Sequence, residues 1–478
     1  MPTEPTTSSP KSLLRKELGF TDVLLFNIAA VLGPRWIAAA AHNGQSSISL
    51  WVLASLFFFV PTALVIVELS TRYPTEGGLY VWAKEAFGDF HGFMAGWCYW
   101  IYSIFYFPGL LLASVAMSVY IAGPRYAWMA NNVSYQVGAS LLLLAIAVGF
   151  NIVGLNIGKW LQNAGGVGTY LPLMMLVALS IAVWMKHGSV TTFSFHASLP
   201  DFKLDTLNFW SQIAFAFTGL ELVCTMSEEV KDPRKTFPRA ILLSGLLIAV
   251  IYILGTIGTL AMMPAASVDP RNGVFQALGT GSALLGIAWF GMLAAVLVTV
   301  GNAGGVGSTV AGVARIPFVA GIDRYLPAAF GKIHPRWRTP HISILVQAGL
   351  SALVLILFQA NESIKGAYQA LVDAAIILYF LPFLYMYAAV IRLAYKGARE
   401  SHHSAVLIPG GKLGVWITAG LAFIVTFVAI VFSIIPTADV VNKLGFELKV
   451  VGSTLFALII GLGLYWRGAR EKKHTSAS

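Results

Sequence analysis

Arg35 lies inside a long apolar run near the start of the chain, directly after Gly33-Pro34. A charge near the middle of a membrane-spanning helix costs at least about 2.5–3.5 kcal/mol, so such a residue needs a partner or a water-filled site. Glycine and proline interrupt helices, and an interrupted helix frees backbone groups for binding. We therefore predict that Gly33, Pro34 and Arg35 bind an anionic group of a small molecule. The alternative is a structural salt bridge or an arginine that reaches the membrane surface.

Two carboxylates lie in similarly apolar surroundings, Glu221 in FAFTGLELV and Asp373 in ALVDAAIILYF. Because burial disfavours the charged form of a carboxylate, each could take up and release a proton, and we predict both as proton-coupling residues. For Glu221 the alternative is a permanent bond to Arg35 or to freed backbone N–H groups. For Asp373 the alternative is the cap of a helix break near the membrane surface.

A second interruption, Thr218-Gly219, precedes Glu221, and Phe215 comes three residues earlier. An aromatic ring at this position can close over a small molecule and contact an ammonium group through its face. We predict Phe215, Thr218 and Gly219 as substrate-binding residues, with simple packing as the alternative for the phenylalanine.

The composition shows which elements must position these residues. Only 11% of the 478 residues are Asp, Glu, Lys or Arg, and 57% are hydrophobic. A soluble domain carries about 25% charged residues. Disordered chains lack aromatics, whereas this chain has 30 Phe, 17 Tyr and 13 Trp. The composition therefore excludes soluble and disordered classes and predicts an all-α integral membrane protein.

A helix needs about 20 mostly apolar residues to cross the hydrocarbon core of a bilayer. Runs of this kind occur repeatedly and predict 12 membrane-spanning helices. The expected spans are 20–44, 46–70, 90–121, 134–154, 166–185, 207–226, 239–262, 283–313, 340–359, 367–392, 414–435 and 449–466.

Basic residues sort to one side of these spans. With the N-terminus inside, 23 of the 31 Lys and Arg residues fall on the cytoplasmic side and 7 outside, and Arg35 lies within the first span. This asymmetry predicts an even number of spans with both termini cytoplasmic. The net charge of +10 then reflects topology, and no nucleic-acid partner is expected.

The two interruptions lie about 185 residues apart, an offset that also carries the third span onto the eighth. Broken helices at matching positions of two halves are typical of inverted-repeat secondary transporters, which bind substrate at the breaks. The sequence contains no metal-ligand, nucleotide-binding or hydrolase motif. We therefore expect neither a cofactor nor catalysis.

Two further stretches have structural interpretations. The glycine-rich segment GNAGGVGSTVAGVA in the eighth span lacks the lysine of a phosphate-binding loop and predicts close packing between helices. The segment EEVKDPRKTFPRA, which contains Glu228, Glu229 and Asp232, predicts a solvated cluster of salt bridges in a cytoplasmic loop.

Three longer motifs resemble the amino acid–polyamine–organocation permeases. They are ELSTRYPTEGGLYVWAKEAFG, FAFTGLELVCTMSEEVKDPRKTFPRAI and ARIPFVAGIDRYLPAAFGKIHPRWRTPHISIL, and the resemblance extends from Leu14 to about Arg467. It implies a twelve-helix fold built on a five-plus-five inverted repeat, with helices 1 and 6 broken and two additional C-terminal helices. The segments RWIAAAAHNG and GGVGTYLPL are similar to the glutamate/GABA-antiporter-like branch.

The resemblance also suggests roles for single residues. The unwound part of helix 1 usually reads Gly-Ser/Thr-Gly in this family and holds the substrate carboxylate through backbone N–H groups, whereas Pro34 and Arg35 depart from that pattern. Glu221 matches a glutamate implicated in proton sensing, and Phe215 matches a gating tryptophan. Thr169 stands where many branches have a proton-coupling lysine, and Thr309 where some exchangers have a substrate-contacting tryptophan.

Taken together, these features predict a secondary transporter in a cell membrane that moves amino acids or related amino compounds by alternating access, through proton coupling or exchange. A carrier of polyamines or diamines, or an amino-acid sensor without transport, is the alternative. We expect an N-terminal tail over 1–19, a transport core over 20–396, helices 11 and 12 over 397–467 and a C-terminal tail over 468–478. The oligomeric state stays open.

Overall fold

The computed structural model describes residues 14–122, 124–200, 204–359, 364–395, 405–435 and 442–477. Helices make up most of this part of the chain. They are α1 (Phe20–Val31), α2 (Pro34–His42), α3 (Ser46–Ala54), α4 (Val60–Arg72), α5 (Leu79–Phe87), α6 (Asp89–Ser118), α7 (Val133–Val153), α8 (Leu155–His187), α9 (Phe195–Ser198), α10 (Leu204–Ala216), α11 (Pro233–Met262), α12 (Gly273–Leu284), α13 (Trp289–Val313), α14 (Arg315–Ile322), α15 (His341–Gln359), α16 (Ile364–Tyr395), α17 (Gly411–Ser433) and α18 (Lys443–Ala477).

Ten helical segments in the described chain are long and apolar enough to cross a membrane. They are Phe20–His42, Ser46–Arg72, Asp89–Ser118, Val133–Val153, Leu155–His187, Pro233–Met262, Trp289–Ile322, Asp373–Tyr395, Gly411–Ser433 and Lys443–Lys472. The chain is therefore a multi-pass membrane protein. Two predicted spans fall outside this group: the ninth is a shorter apolar helix, His341–Leu357, and the sixth is divided between α10 and a 3₁₀ segment, Leu222–Glu229.

The first predicted span is two helices joined by an extended segment. α1 ends at Val31, and Leu32 and Gly33 are extended, with φ −73°, ψ 114° and φ −125°, ψ 120°. Pro34 then begins α2, a position where the absent N–H costs nothing and the fixed φ suits a helix. The Gly-Pro pair thus ends one helix and starts the next.

The sixth predicted span breaks after Ala216, at the end of α10. Gly219 has φ +118°, a conformation that glycine adopts at little cost. A Cβ at this position would lie 3.0 Å from the Cγ2 of Val31. The two breaks are therefore in direct contact, and glycine at 219 permits that approach.

Glycines bring the backbones of α8 and α13 into contact. A Cβ added at Gly165 would lie 2.5 Å from the Cα of Gly304, and one at Gly168 would lie 2.6 Å from the carbonyl oxygen of Leu297. The small residues of the eighth span thus serve helix packing, as the sequence predicted.

Some boundaries differ from the predicted ones. α8 begins at Leu155, well before the expected start at residue 166, because the polar residues in its first turns face neighbouring elements rather than lipid: Gln162 is buried, and Asn163 donates to Asp22 over 2.7 Å. The long charge-free stretch before residue 314 divides into α12 and α13.

Candidate functional site

Two neighbouring cavities lie at the helix breaks. The first, here called the Arg35 cavity, is lined by Gly33, Pro34 and Arg35 among others. The second, the aromatic cavity, is lined by Phe215, Thr218 and Gly219 among others. Both are lined by Ala30, Val31, Trp36 and Tyr106, so they meet at the break between α1 and α2.

Arg35 lies in the wall of the first cavity with only 4% of its surface exposed. Its Nη2 donates to the hydroxyl of Tyr106 over 2.8 Å. The guanidinium carbon also lies 4.6 Å from the ring centroid of Trp36 and 5.2 Å from that of Tyr106. Both distances allow cation–π attraction, so the two rings hold the guanidinium at the cavity.

The backbone at the first break has little hydrogen-bonding capacity left for a ligand. The N–H of Leu32 donates to the Ile28 carbonyl over 3.0 Å, and that of Gly33 to the Tyr252 hydroxyl over 3.2 Å. Pro34 has no N–H. A carboxylate at this break therefore gains no N–H from Leu32, Gly33 or Pro34, whereas the Arg35 side chain is a donor in the cavity wall.

Tyr252, on α11, holds the two breaks together. Its hydroxyl lies 2.7 Å from the carbonyl oxygen of Val31, where α1 ends, and 3.1 Å from that of Ala216, where α10 ends. The hydroxyl has one proton and can donate to one carbonyl at a time. Sequence reasoning missed this residue because a tyrosine in an apolar helix carries no local signal of such a role.

Aromatic rings form the second cavity. Phe215 meets Trp36 at 5.8 Å, Tyr106 at 5.8 Å and Tyr379 at 5.4 Å between ring centroids, each time edge to face. Phe217 lies elsewhere and stacks on Phe59 at 4.4 Å. Of the two phenylalanines before the break, only Phe215 contributes to the cavity wall.

Glu221 is completely buried behind this wall. One carboxylate oxygen accepts from the hydroxyl of Tyr99 over 2.7 Å and from that of Tyr379, and the other accepts from the N–H of Gly219 over 3.1 Å. A buried charge is stable only when it is hydrogen-bonded or paired, and these three donors meet that need. Glu221 reaches the cavity through Tyr379, which lines it.

Asp373 is buried on α16 and lines neither cavity. The helix continues without interruption on both sides of this residue, so Asp373 caps no helix break. The structure therefore brings Gly33, Pro34, Arg35, Phe215, Thr218 and Gly219 together, with Glu221 one layer behind and Asp373 apart.

Three further polar residues line the cavities. Thr169 and Asn302 line the Arg35 cavity, and Thr309 lines the aromatic cavity. The amide of Asn302 donates to the sulfur of Met117 at 3.4 Å, a weak acceptor. Asn302 is thus suited to contact a ligand, although an asparagine among glycines gave no such signal in the sequence.

The charges of the wall are sparse. Among the described residues that line the two cavities, Arg35 is the one that carries a charge at neutral pH, and no carboxylate lines either. The described residues contain no group of three His, Cys, Asp or Glu side chains that could hold a metal ion. A membrane-embedded cavity of this kind, at two helix breaks, defines a carrier for a small organic molecule.

Comparisons with known proteins agree with this class. The profile described as "Amino acid permease" matches residues 18–465, and the chain belongs to that family. An uncharacterized transporter of Legionella pneumophila, lpg1691, is 29% identical over 93% of this chain and 96% of its own length. A probable agmatine/putrescine antiporter of Lactococcus lactis, AguD, is 25% identical over 94% of each chain.

A glutamate/gamma-aminobutyrate antiporter of Lactococcus lactis is 22% identical over 82% of this chain and 78% of its own length. The prediction of an amino acid permease is thereby confirmed, and the protein is a secondary transporter rather than an enzyme. Its substrate is a small amino compound, and the protein is embedded in a lipid bilayer.

Proposed function

We propose that the protein transports amino acids that carry a carboxylate, and that Arg35 binds this carboxylate. The observation that carries the proposal is the position of Arg35, the one cationic side chain among the described residues that line the two cavities. It lies next to a backbone whose donors at Leu32 and Gly33 already have partners. A hydrogen bond to a charged group contributes about 1.5–3 kcal/mol, enough to select strongly for a carboxylate.

The aromatic cavity is the complementary site for the ammonium group. The hydroxyl of Tyr379 donates its proton to Glu221, so its oxygen can accept from a ligand. The ring of Phe215 offers a face of negative potential. A zwitterionic amino acid that spans the shared wall at Trp36 and Tyr106 would satisfy both ends.

A diamine fits this site poorly. Compounds such as putrescine bring two cations and no anion, so one cation would lie near Arg35, where like charges repel in a cavity of low dielectric constant. Although the chain is similar to a probable agmatine/putrescine antiporter, the positive charge of this site disfavours diamines. Diamine transport is the competing outcome in the uptake experiment.

We further propose twelve spans with a five-plus-five inverted repeat and both termini in the cytoplasm of the cell. The two breaks, their mutual contact at Val31 and Gly219 and the distribution of basic residues support this topology. In that arrangement residues 20–396 form the transport core, with helices 11 and 12 over 397–467 and tails over 1–19 and 468–478.

Coupling is the second part of the proposal. Glu221 would take up a proton when the conformational change of transport separates the Tyr379 hydroxyl from the carboxylate, because loss of a donor leaves a buried carboxylate undersatisfied. Asp373 is a second candidate for the same role, supported by its burial alone. Exchange of two amino compounds without a proton is the alternative.

Uptake into proteoliposomes tests the function. The purified protein is reconstituted, loaded with unlabelled substrate and offered labelled amino acids of acidic, neutral and basic type, and labelled putrescine, with and without a pH gradient. We expect uptake of at least one carboxylate-bearing amino acid and none of putrescine. Binding without flux would identify a sensor, and uptake of putrescine alone would overturn the assignment of Arg35.

A further inference from the structure

A buried charge cluster lies where four segments meet, at the end of the bundle predicted to face the cytoplasm. It consists of Glu76 in the loop after α4, Glu229 at the end of the 3₁₀ segment after the second break, and Arg315 at the start of α14. The three side chains are 0%, 3% and 1% exposed. The sequence predicted that Glu229 belongs to a solvated loop cluster, and this prediction was wrong.

Glu229 is buried because distant elements pack onto it. Arg315 donates to its carboxylate through Nε over 3.1 Å and through Nη2 over 3.0 Å and 3.1 Å. The remaining contact of the guanidinium runs from Nη1 to the Ala311 carbonyl over 2.6 Å. The hydrogen bonds of this guanidinium to a carboxylate thus all go to Glu229 among the described residues.

Glu76 shares the same guanidinium without a hydrogen bond to it. Its Oε1 lies 3.9 Å from the Arg315 Nε and has no hydrogen-bond donor among the described residues. Its Oε2 accepts the N–H of Glu228 over 3.1 Å. Two carboxylates thus face one cation, and the less well-bonded one is completely buried.

The same cluster fixes the start of the first span. The carbonyl oxygen of Glu229 accepts the N–H groups of Glu17 over 2.9 Å and Leu18 over 3.0 Å, and the N–H of Lys231 donates to the Leu18 carbonyl over 2.8 Å. These three bonds attach the segment before α1 to the segment after the second break. We interpret these three bonds as a closed arrangement of this end of the molecule.

We propose that Glu76 is a proton-binding site that controls this closure, which we call the inner closure, and that its protonated form stabilises the closed state. The closed arrangement places a second carboxyl beside an already neutralised pair, and a neutral carboxyl is far less costly to bury there than an anion. An opened arrangement would return Glu76 to water.

The electrostatic surroundings of Glu76 favour the proton. Burial raises its pKa well above the ordinary value for a glutamate, and the carboxylates of Glu229 and Glu228 act in the same direction. The guanidinium of Arg315 and the Glu228 N–H lower the pKa but do not offset the burial. Because the closed state binds the proton more tightly than an opened state, acid stabilises the closure, and rising pH weakens it.

Hydrogen–deuterium exchange of the full-length protein in lipid nanodiscs measures the closure without any transport assay. The readout is the protection factor, the intrinsic exchange rate divided by the observed rate, of peptides that contain Glu17, Leu18 and Lys231. In the wild type we expect protection to fall as pH rises from about 5.5 to 8.5, by up to about tenfold per pH unit between the ordinary pKa of an exposed glutamate and the raised pKa of Glu76 in the closed state. Peptides from α7 provide the reference for folding.

Three variants decide the outcome. Glu76→Gln, which mimics the protonated side chain, should give high protection that does not change with pH. Glu76→Asp should keep a pH-dependent closure with a shifted midpoint. Glu471→Gln, which alters an exposed glutamate paired with Arg467, should behave as the wild type. The proposal is overturned if the wild type shows no pH dependence, or if Glu76→Gln keeps the pH-dependent profile of the wild type.

The readout also separates this proposal from the proposed function. The closure and its pH dependence are measured without substrate, so a failure to find a transported amino acid would leave the result on Glu76 unaffected. Conversely, a flat protection profile would overturn the role of Glu76 while the carboxylate site at Arg35 remains open to its own test.

Discussion

At the first helix break the charged side chain lies in the cavity wall, whereas at the second it lies one layer behind. Arg35 lines a cavity directly and is held by Tyr106 and Trp36. Glu221 is enclosed by Tyr99, Tyr379 and the Gly219 N–H. Two breaks in contact with each other thus carry opposite charges in different surroundings.

The difference follows from what each break does to the backbone. At the first, Pro34 has no N–H and the Gly33 N–H donates to Tyr252, and the Arg35 side chain is the anion site that we propose. At the second, the freed N–H of Gly219 is used by Glu221 itself. The comparison predicts that changes at Arg35 alter substrate affinity, while changes at Glu221 alter turnover and its pH dependence.

Arg35→Ala should have the largest effect. Loss of a charge-assisted hydrogen bond of about 1.5–3 kcal/mol weakens binding of a carboxylate substrate by roughly 10- to 150-fold, measured as Kd in detergent or as KM for uptake. Arg125→Ala is the matched control, because Arg125 is exposed on the 3₁₀ segment Pro124–Asn131. An Arg35→Ala protein with wild-type affinity would show that Arg35 is structural.

Glu221→Gln should have a smaller effect on binding and a clear one on coupling. The amide keeps the shape, and its oxygen can still accept from both tyrosines, whereas the bond from the Gly219 N–H is lost. We therefore expect Kd to change by less than about tenfold, which corresponds to less than about 1.4 kcal/mol. Transport should lose its response to a pH gradient. A variant that keeps this response would exclude Glu221 as the proton-coupling residue.

Tyr252→Phe tests whether the two breaks move together. The change removes the hydroxyl from Val31, Gly33 and Ala216 while keeping the ring that stacks on Trp51 at 4.4 Å. With a net value of about 1 kcal/mol per lost hydrogen bond, we expect a modest fall in thermal stability and a larger fall in kcat than in KM. An unchanged kcat would mean that the breaks need no such link.

Asp373→Asn should have the smallest effect on substrate affinity. Asp373 lines neither cavity, so we expect no measurable change in Kd, although loss of pH coupling in transport would support its predicted role. A clear rise in Kd would indicate that Asp373 influences substrate binding through α16.

Some of this could be predicted from the sequence. Apolar length located the spans, and the Gly-Pro pair and Thr218-Gly219 located the breaks because each acts on the local backbone. Arg35 and Glu221 were found because a charge in an apolar helix is costly. The start of α8 could not be predicted as well, because polar residues in its first turns are buried against distant elements.

The partners of these charges could not be predicted. Tyr106 lies 71 residues from Arg35, and Tyr379 lies 158 residues from Glu221, and aromatic residues in apolar helices look alike whether they pack or bind. The same reason explains the error at Glu229: its neighbours in sequence are charged, but Arg315, 86 residues away, and Glu76 exclude the water.

The most direct test of the central claim compares ligands that differ by one carboxylate. Serine and ethanolamine, and ornithine and putrescine, are such pairs, and each is used to compete against the labelled substrate in the wild type and in Arg35→Gln. We expect the wild type to bind the carboxylate-bearing member of each pair that it recognises more tightly than the other member, and we expect the variant to lose this preference. A variant that keeps the wild-type preference would contradict the role of Arg35.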